Sequence, residues 1–359
     1  MTKNTFGGER LSFIDAIRTL AILMMLQGHF VAGLLSDEYR VLDNPLFMAW
    51  RYLRGLTAPV FFTISGFIFT LLLERHRGKG WGNPRLKKGL FRGLKLIVIG
   101  YLLQLRLLWL LQGAINPTFN IVHVLQSIGL SLILIVLLYW ITDRLKKEFL
   151  GILLLGITVL LFSYQSVYVN WDYDHFPEII SNYFTRKNGS VFTIVPWFGF
   201  ASFGGFLALA FSGRFTHTMF YKKSILWMVP VGTILLLRSY EGIEYLKNLT
   251  HFHIFEAALP NSYLFARLGT ILLLFAFFML VQRYVKSGII LKIGENTLPI
   301  YVLHSIILYG SITGLGLTRW FYHSLSGTTV LIAAPIFVFG VSWAAIWSLR
   351  KWSILKKLF

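Results

Sequence analysis

Three ionisable side chains stand in one apolar stretch near the amino terminus. In Phe13-Ile14-Asp15-Ala16-Ile17-Arg18-Thr19-Leu20-Ala21-Ile22-Leu23-Met24-Met25-Leu26-Gln27-Gly28-His29 they are Asp15, Arg18 and His29. An imidazole is well suited to lift a proton near neutral pH, or to carry a group transiently on nitrogen. A guanidinium offers charge-assisted hydrogen bonds to carboxylates and phosphates. If the stretch is helical, the spacing from Arg18 to His29 turns through about 1100°, about 20° past three full turns, so the two share a face about 16 Å apart along the axis. Asp15 joins that stripe one turn before Arg18. An extended ligand laid along it would meet Arg18 at one end and His29 at the other. The structural alternative is an Asp15–Arg18 pair that fixes helix packing, with His29 a polar residue at headgroup depth.

The elements that must position these groups follow from composition. The chain has 359 residues, 56% hydrophobic and only 14% charged, with a mean hydropathy of +0.65. Soluble domains carry roughly a quarter charged residues, so this chain is expected in a bilayer. A span needs about 20 mostly apolar residues. That ruler selects Leu11 to Leu35, Leu46 to Leu73, Leu90 to Gln112, His123 to Ile141, Phe149 to Val169, Val191 to Phe211, Ser224 to Leu237, Asn261 to Gln282, Ile293 to Thr313 and Thr328 to Leu349, the seventh being short. The expected fold is all-α, a polytopic membrane protein with about ten transmembrane helices. With no internal repeat and no Pro-, Gly- or Ser-rich linker, residues 1–359 read as a single membrane domain. There is no cysteine, which excludes disulfides, thiolate metal sites and a cysteine nucleophile. The histidines lack metal-ligand spacing, and neither a P-loop nor a dinucleotide fingerprint occurs.

The formal charge is +19, and its placement is topological. Counting alternate connections puts 22 basic residues on one side, including Lys3, the run from Arg75 to Arg92, Arg214, Lys286 and Lys357, against six on the other. By the positive-inside rule both termini are cytoplasmic, with lipids as the surrounding partner. The basic residues are scattered over short loops with no stacking module, so no nucleic-acid partner is expected. The longest polar outer loops run from Asn170 to Ser190 and from Arg238 to Pro260. The six basic residues counted on neither side fall inside spans: Arg18, Arg51, Arg54, Lys95, Arg106 and Arg267. Arg51, Arg54, Arg106 and Arg267 fall in outer halves, where they either snorkel or line a polar outer cavity.

The stretch from Phe13 to His29 resembles the Arg-x10-His segment of the integral-membrane acyltransferase superfamily, and within it the branch of heparan-alpha-glucosaminide N-acetyltransferase. Thr57 to Phe67, Val124 to Gly129, Val195 to Phe200 and the late stretch Ile293 to His304 agree in order. One departure is His123, which stands where relatives often have an acidic residue. The resemblance implies acetyl-CoA as a donor taken from the cytoplasm and a sugar or glycan acceptor met beyond the membrane. It makes His29 the catalytic group, as general base or acyl carrier, and puts Arg18 and Asp15 at the donor. Arg51, Arg54, Arg106, His123, Gln126 and Arg267 would face the acceptor or a developing oxyanion. Trp197 either stacks on a sugar or sits at the interface, and His304, facing Tyr301 at helical spacing, is either a satisfied core histidine or a functional one. Glu295 and Asn296 would cap the late helix. The membrane is taken as a bacterial inner membrane, and a homo-oligomer is left open. The rival reading is a transporter or flippase whose polar cavity binds an amphiphile or glycan unaltered.

Overall fold

A computed structural model of the protein describes residues 5–6, 9–169, 171–212, 219–285, 288–353 and 355, the first ten by backbone alone. Lys3, Asn170, Arg214, Lys286 and Lys357, used above to count charge and bound loops, lie outside the described residues. Apart from a two-residue antiparallel pairing of Thr5–Phe6 with Glu9–Arg10, the regular elements are helical, the form in which an apolar segment satisfies its own backbone in lipid.

Among the described residues seven helical stretches are long and apolar enough to cross a membrane: Ser12–Leu34, Pro45–Glu74, Val124–Thr142, Ile194–Phe211, Phe220–Thr250, His253–Val281 and Gly327–Lys351. The other three expected spans correspond to helices that are shorter or more basic, Pro84–Leu102, Lys147–Ser163 and Thr297–Tyr309.

Three expected boundaries are corrected. The stretch Leu46 to Leu73 is two helices, Pro45–Gly55 and Thr57–Glu74. The first starts where the Asn44 side chain accepts from the Leu46 and Phe47 N–H groups with Pro45 behind it, an N-cap followed by a proline whose missing donor costs nothing there. The stretch Leu90 to Gln112 ends its helix at Leu102. The chain then pairs with another backbone segment, Leu107 N–H donating to Ile312 C=O at 2.8 Å and Ile312 N–H to Leu105 C=O at 3.0 Å. Arg106 therefore sits at this bridge, exposed, and not within a span. Finally, Arg238 to Pro260 is not a loop: one helix runs Phe220–Thr250, with non-helical torsions at Arg238 where the seventh span was expected to end, and His253–Ala258 follows.

The chain packs as two compact units, each drawn from separate segments. The first comprises Met1–Arg10, Pro59–Tyr101 and Asn120–Leu280; the second comprises Leu11–Ala58, Leu102–Phe119 and Val281–Phe359. Lipid is as apolar as leucine, so helices in a bilayer gain most by close approach through small residues. The first unit does this repeatedly. A Cβ on Gly66 would collide with the Ala201 carbonyl, one on Gly204 with the Thr63 carbonyl, and Gly93 and Gly129 face each other backbone to backbone. In the same unit Asp143 accepts from the Gly78 and Gly80 N–H groups at 3.0 and 2.8 Å, and Arg77 pairs with Glu74 at 2.7 Å. These bonds tie down the start of the basic run.

In the second unit Ser12–Leu34 packs against Gly288–Glu295, Thr297–Tyr309 and Gly327–Lys351.

The glycine contacts set a prediction for stability. Gly66→Ala and Gly204→Ala should each cost about 1–3 kcal/mol through overpacking, read as a fall in Tm of the detergent-solubilised protein. Gly156→Ala, at a helical position with nothing within 4 Å of the added Cβ, should leave Tm unchanged or raise it slightly. Equal effects at the three positions would contradict this account of packing.

Candidate active site on the first helix

The Asp15–Arg18–His29 stripe does lie on one helix, Ser12–Leu34. Its first half is fixed by the late motif. Asp15 is buried, and Arg18 reaches it at 3.8 Å (Nη1 to Oδ1). Arg18 Nη2 also donates to Thr297 Oγ1 at 3.1 Å. The Thr19 hydroxyl has two acceptors in reach, the Asp15 carbonyl at 2.9 Å and the Ile290 carbonyl at 2.6 Å. Gly294 packs so tightly on the Asp15 carbonyl that any side chain there would clash. The expected capping by Asn296 is corrected: its amide donates to the Lys292 carbonyl at 2.7 Å and closes the preceding helix instead.

The second half holds a pair of histidines. His29 is half-buried and His304 fully buried, and His29 Nδ1 lies 3.0 Å from His304 Nε2. On the other edge of its ring, His304 Nδ1 faces the Tyr301 carbonyl. That carbonyl can only accept, so His304 Nδ1 carries its proton and, in the neutral ring, Nε2 is an acceptor. His29 Nδ1–H must then be the donor to His304, which makes Nε2 of His29 the nitrogen bearing the lone pair. Order along the chain is consistent: Arg18 meets Thr297 and His29 meets His304, so Thr297–Tyr309 runs parallel to the first helix over this stretch, while Gly288–Glu295, with Ile290 at Thr19 and Gly294 at Asp15, runs the other way.

Three residues around His29 were not singled out by sequence. Tyr309 presents its ring edge-on to His29, centroids 5.8 Å apart. Gln27 accepts from Trp50 Nε1 at 3.0 Å, and Trp50 in turn lies under the Arg54 guanidinium, 5.6 Å from the ring centroid. The stem of Arg54 crosses Gly28, where an added Cβ would come within 2.8 Å of its Cγ. Arg54 is thereby held beside His29. A glutamine two residues before a histidine in an apolar helix was the available signal.

Arg51 is exposed on a helix that buries none of its residues. Arg106 lines a cleft of about 550 Å³ with Ala32 and Gly33, one turn beyond His29. His123, Gln126, Trp197 and Arg267 belong to the first compact unit. There His123 is an exposed residue preceding Val124–Thr142, Gln126 is fully buried against Gly100, and Arg267 lies over Tyr263 of its own helix at 5.3 Å. Trp197 is buried, donates to the Val191 carbonyl at 2.8 Å, and packs against Phe62 and Phe192 at centroid distances of 5.3 and 4.8 Å. Its ring is packed among these aromatic side chains. Among the described residues no group of three His, Cys, Asp or Glu side chains is placed to hold a metal ion.

The family model for the catalytic region of heparan-alpha-glucosaminide N-acetyltransferase matches residues 10–237, a stretch that contains the whole stripe. The chain belongs to this family. Among individually curated proteins none matches it. Family membership and the apolar helices together make the chain a membrane acetyltransferase of the heparan-alpha-glucosaminide type. The match ends before the late helix, so the histidine partner of His29 is contributed by sequence outside it.

The hydrogen-bond order can be read directly. Nitrogen-15 spectra of histidine-labelled protein should contain two rings protonated at Nδ1, and His304→Phe should remove one and convert the other. Retention of His29 as an Nε2–H ring in the parent protein would overturn the assignment.

Proposed function

We propose that the protein takes the acetyl group of acetyl-CoA from the cytoplasmic face and transfers it to an amino or hydroxyl group of a sugar or glycan beyond the membrane, in a bacterial inner membrane with both termini in the cytoplasm. The observation that carries this reading is the His29 Nδ1 to His304 Nε2 hydrogen bond, backed by the Tyr301 carbonyl. The excess of basic residues in alternate connections supports the orientation.

In the proposed step His29 Nε2 removes the proton from the acceptor nitrogen or oxygen as that atom attacks the thioester carbonyl. The tetrahedral adduct collapses, the carbon–sulfur bond breaks, and the proton on His29 passes to the departing thiolate. His304, neutral and accepting from His29 Nδ1–H, orients the ring and stabilises its imidazolium form, the role that the third member of a catalytic triad plays. The same lone pair is suited to attack the thioester itself and hold the acetyl group on nitrogen before passing it on. Arg54, across Gly28, offers positive charge to the developing oxyanion. Arg18, held by Asp15 and Thr297, meets the phosphate-bearing part of the donor at the other end of the stripe.

The test is transfer of labelled acetyl from acetyl-CoA to an amino sugar by purified protein. His29→Ala should lower kcat at least about 10²-fold, the range lost with a general base, in a protein that still folds, its Tm lowered only by the lost hydrogen bond to His304. Arg18→Ala should raise KM for acetyl-CoA about tenfold, as expected for one lost charge-assisted hydrogen bond. Undiminished transfer by His29→Ala would remove this histidine from the mechanism. Sugar movement across liposomes without donor, in the absence of any transfer, would establish a transporter instead. Label retained on the protein when no acceptor is present would assign the two-step route.

A further inference from the structure

Residues 41–56, which follow the first helix, contain no buried side chain. Both ends of the segment are nevertheless fixed. On one side the Ser36 N–H donates to the Leu325 carbonyl at 2.9 Å, Asp37 Oδ1 lies 3.0 Å from His323 Nδ1, and Arg40 donates to the Ala32 carbonyl while reaching Asp37 at 3.6 Å. On the other side Thr57 is buried, and its hydroxyl donates to the Arg54 carbonyl at 2.9 Å. All of these residues belong to the second compact unit.

Between those ends the helix Pro45–Gly55 has a single inner stripe. Its half-buried side chains are Phe47, Trp50 and Arg54, at the spacings of three and four that share one helix face. Leu46, Met48 and Leu53 point elsewhere and are exposed, Leu46 at 80%. The stripe is seated on the two residues that precede His29. Trp50 Nε1 donates to Gln27 Oε1 at 3.0 Å, and the Arg54 stem crosses Gly28 so closely that an added Cβ would come within 2.8 Å of Cγ. Trp50 also orders the rest of the stripe: Phe47 stacks on it with centroids 5.4 Å apart, and the Arg54 guanidinium stands 5.6 Å from its ring centroid. A segment that buries no residue gains little from packing, and local opening is easiest where buried contacts are fewest. Its position therefore depends on the few specific bonds that it makes.

We propose that Trp50 is the positioning residue for Arg54, and that residues 41–56 are a lid whose latch is the Trp50–Gln27 hydrogen bond. In the latched position Arg54 stands beside His29; when the bond opens, Trp50 and Arg54 leave together, since they sit one turn apart on the same helix. The proposal rests on the roles proposed above for His29 and Arg54. A tryptophan suits this task because one ring serves both contacts, its N–H meeting the amide of Gln27 and its face meeting the cation. The hinges are the exposed residues 41–44 and Leu56, where the helix ends. Closure excludes water from the reacting atoms, which strengthens the attraction between Arg54 and a developing oxyanion, and opening lets product leave.

The experiment measures kinetics and geometry on the full-length protein in detergent. Trp50→Phe keeps a ring but lacks the N–H donor, and Gln27→Leu removes the acceptor. Each should lower kcat for acetyl transfer to glucosamine about fivefold, the effect of losing one neutral hydrogen bond, with KM for acetyl-CoA unchanged. The double variant should be no slower than either single one, because both break the same bond. Met48→Ala, on the exposed face, should leave kcat as it is. Effects that multiply in the double variant, or full kcat in Trp50→Phe where Arg54→Ala is impaired, would overturn the role of Trp50 and leave those of Arg54 and His29 standing. The chain has no cysteine, so spin labels on Leu46→Cys and Leu331→Cys, both exposed positions of the second unit, report the lid alone by pulsed electron paramagnetic resonance. One distance should dominate in the latched protein, and Trp50→Phe should add a second population. An identical single distance with and without the Trp50 donor would overturn the lid. Normal transfer by His29→Ala would overturn the reading of His29 and with it this proposal, a result distinct from every failure above.

Discussion

A neutral histidine has one ring nitrogen with a free lone pair, and the hydrogen bond made by the other decides which one it is; in this protein the acceptor of that bond is a second, buried histidine. The His29–His304 hydrogen bond depends in turn on a backbone carbonyl, that of Tyr301, which fixes the proton on the far side of His304. Reverse any one of these and the ring beside the cleft turns its N–H outward. The close packing of the late segment on the first helix, down to Gly294 against the Asp15 carbonyl, serves to keep the two rings in register. With Arg18 bonded to Thr297 at one end and His29 to His304 at the other, sliding one helix along the other would break both contacts at once.

The same constraint explains why charges are tolerated here. A guanidinium or carboxylate at the centre of a span costs roughly 2.5–3.5 kcal/mol on insertion scales, and each one on the first helix has a specific use: Asp15 for Arg18, Arg18 for Thr297. Elsewhere the basic residues expected in spans move to places where the cost is smaller. Arg106 stands outside a helix at a backbone bridge, Arg51 is exposed, and Arg54 and Arg267 lie over aromatic rings, where a cation gains from the ring quadrupole.

Much of this was legible in the amino-acid sequence because helical geometry is local. The stripe of Asp15, Arg18 and His29 needed only the helix repeat, and the length of apolar runs located the helices later found at Ser12–Leu34, Val124–Thr142 and Gly327–Lys351. What could not be read depended on the third dimension. Leu107 to Leu111 continue the hydropathy of the helix before them, yet the backbone leaves that helix because it pairs with Ile312, more than 200 positions away. The helix beyond Leu237 was hidden for the opposite reason. Arg238, Glu241 and Glu244 look like a loop by charge, but they are exposed residues of a continuing helix, and only the torsions at Arg238 mark the boundary. His304 showed itself as a histidine facing Tyr301; that it faces His29 as well is a fact of packing. For Trp197 the sequence left stacking and interfacial roles both open, because a tryptophan near a helix end is the same letter whatever its ring packs against.

In the proposed mechanism Nε2 of His29 is the atom facing the acetyl group. The most direct measurement is an experimental structure of the protein with a ketone analogue of acetyl-CoA, in which a methylene replaces the thioester sulfur. The analogue's carbonyl carbon should lie within about 3.5 Å of His29 Nε2, the near-attack distance, with the nucleotide end toward Arg18 and the His29–His304 bond intact. A carbonyl lodged away from His29, or a His29 ring turned so that Nδ1 faces the analogue, would contradict it.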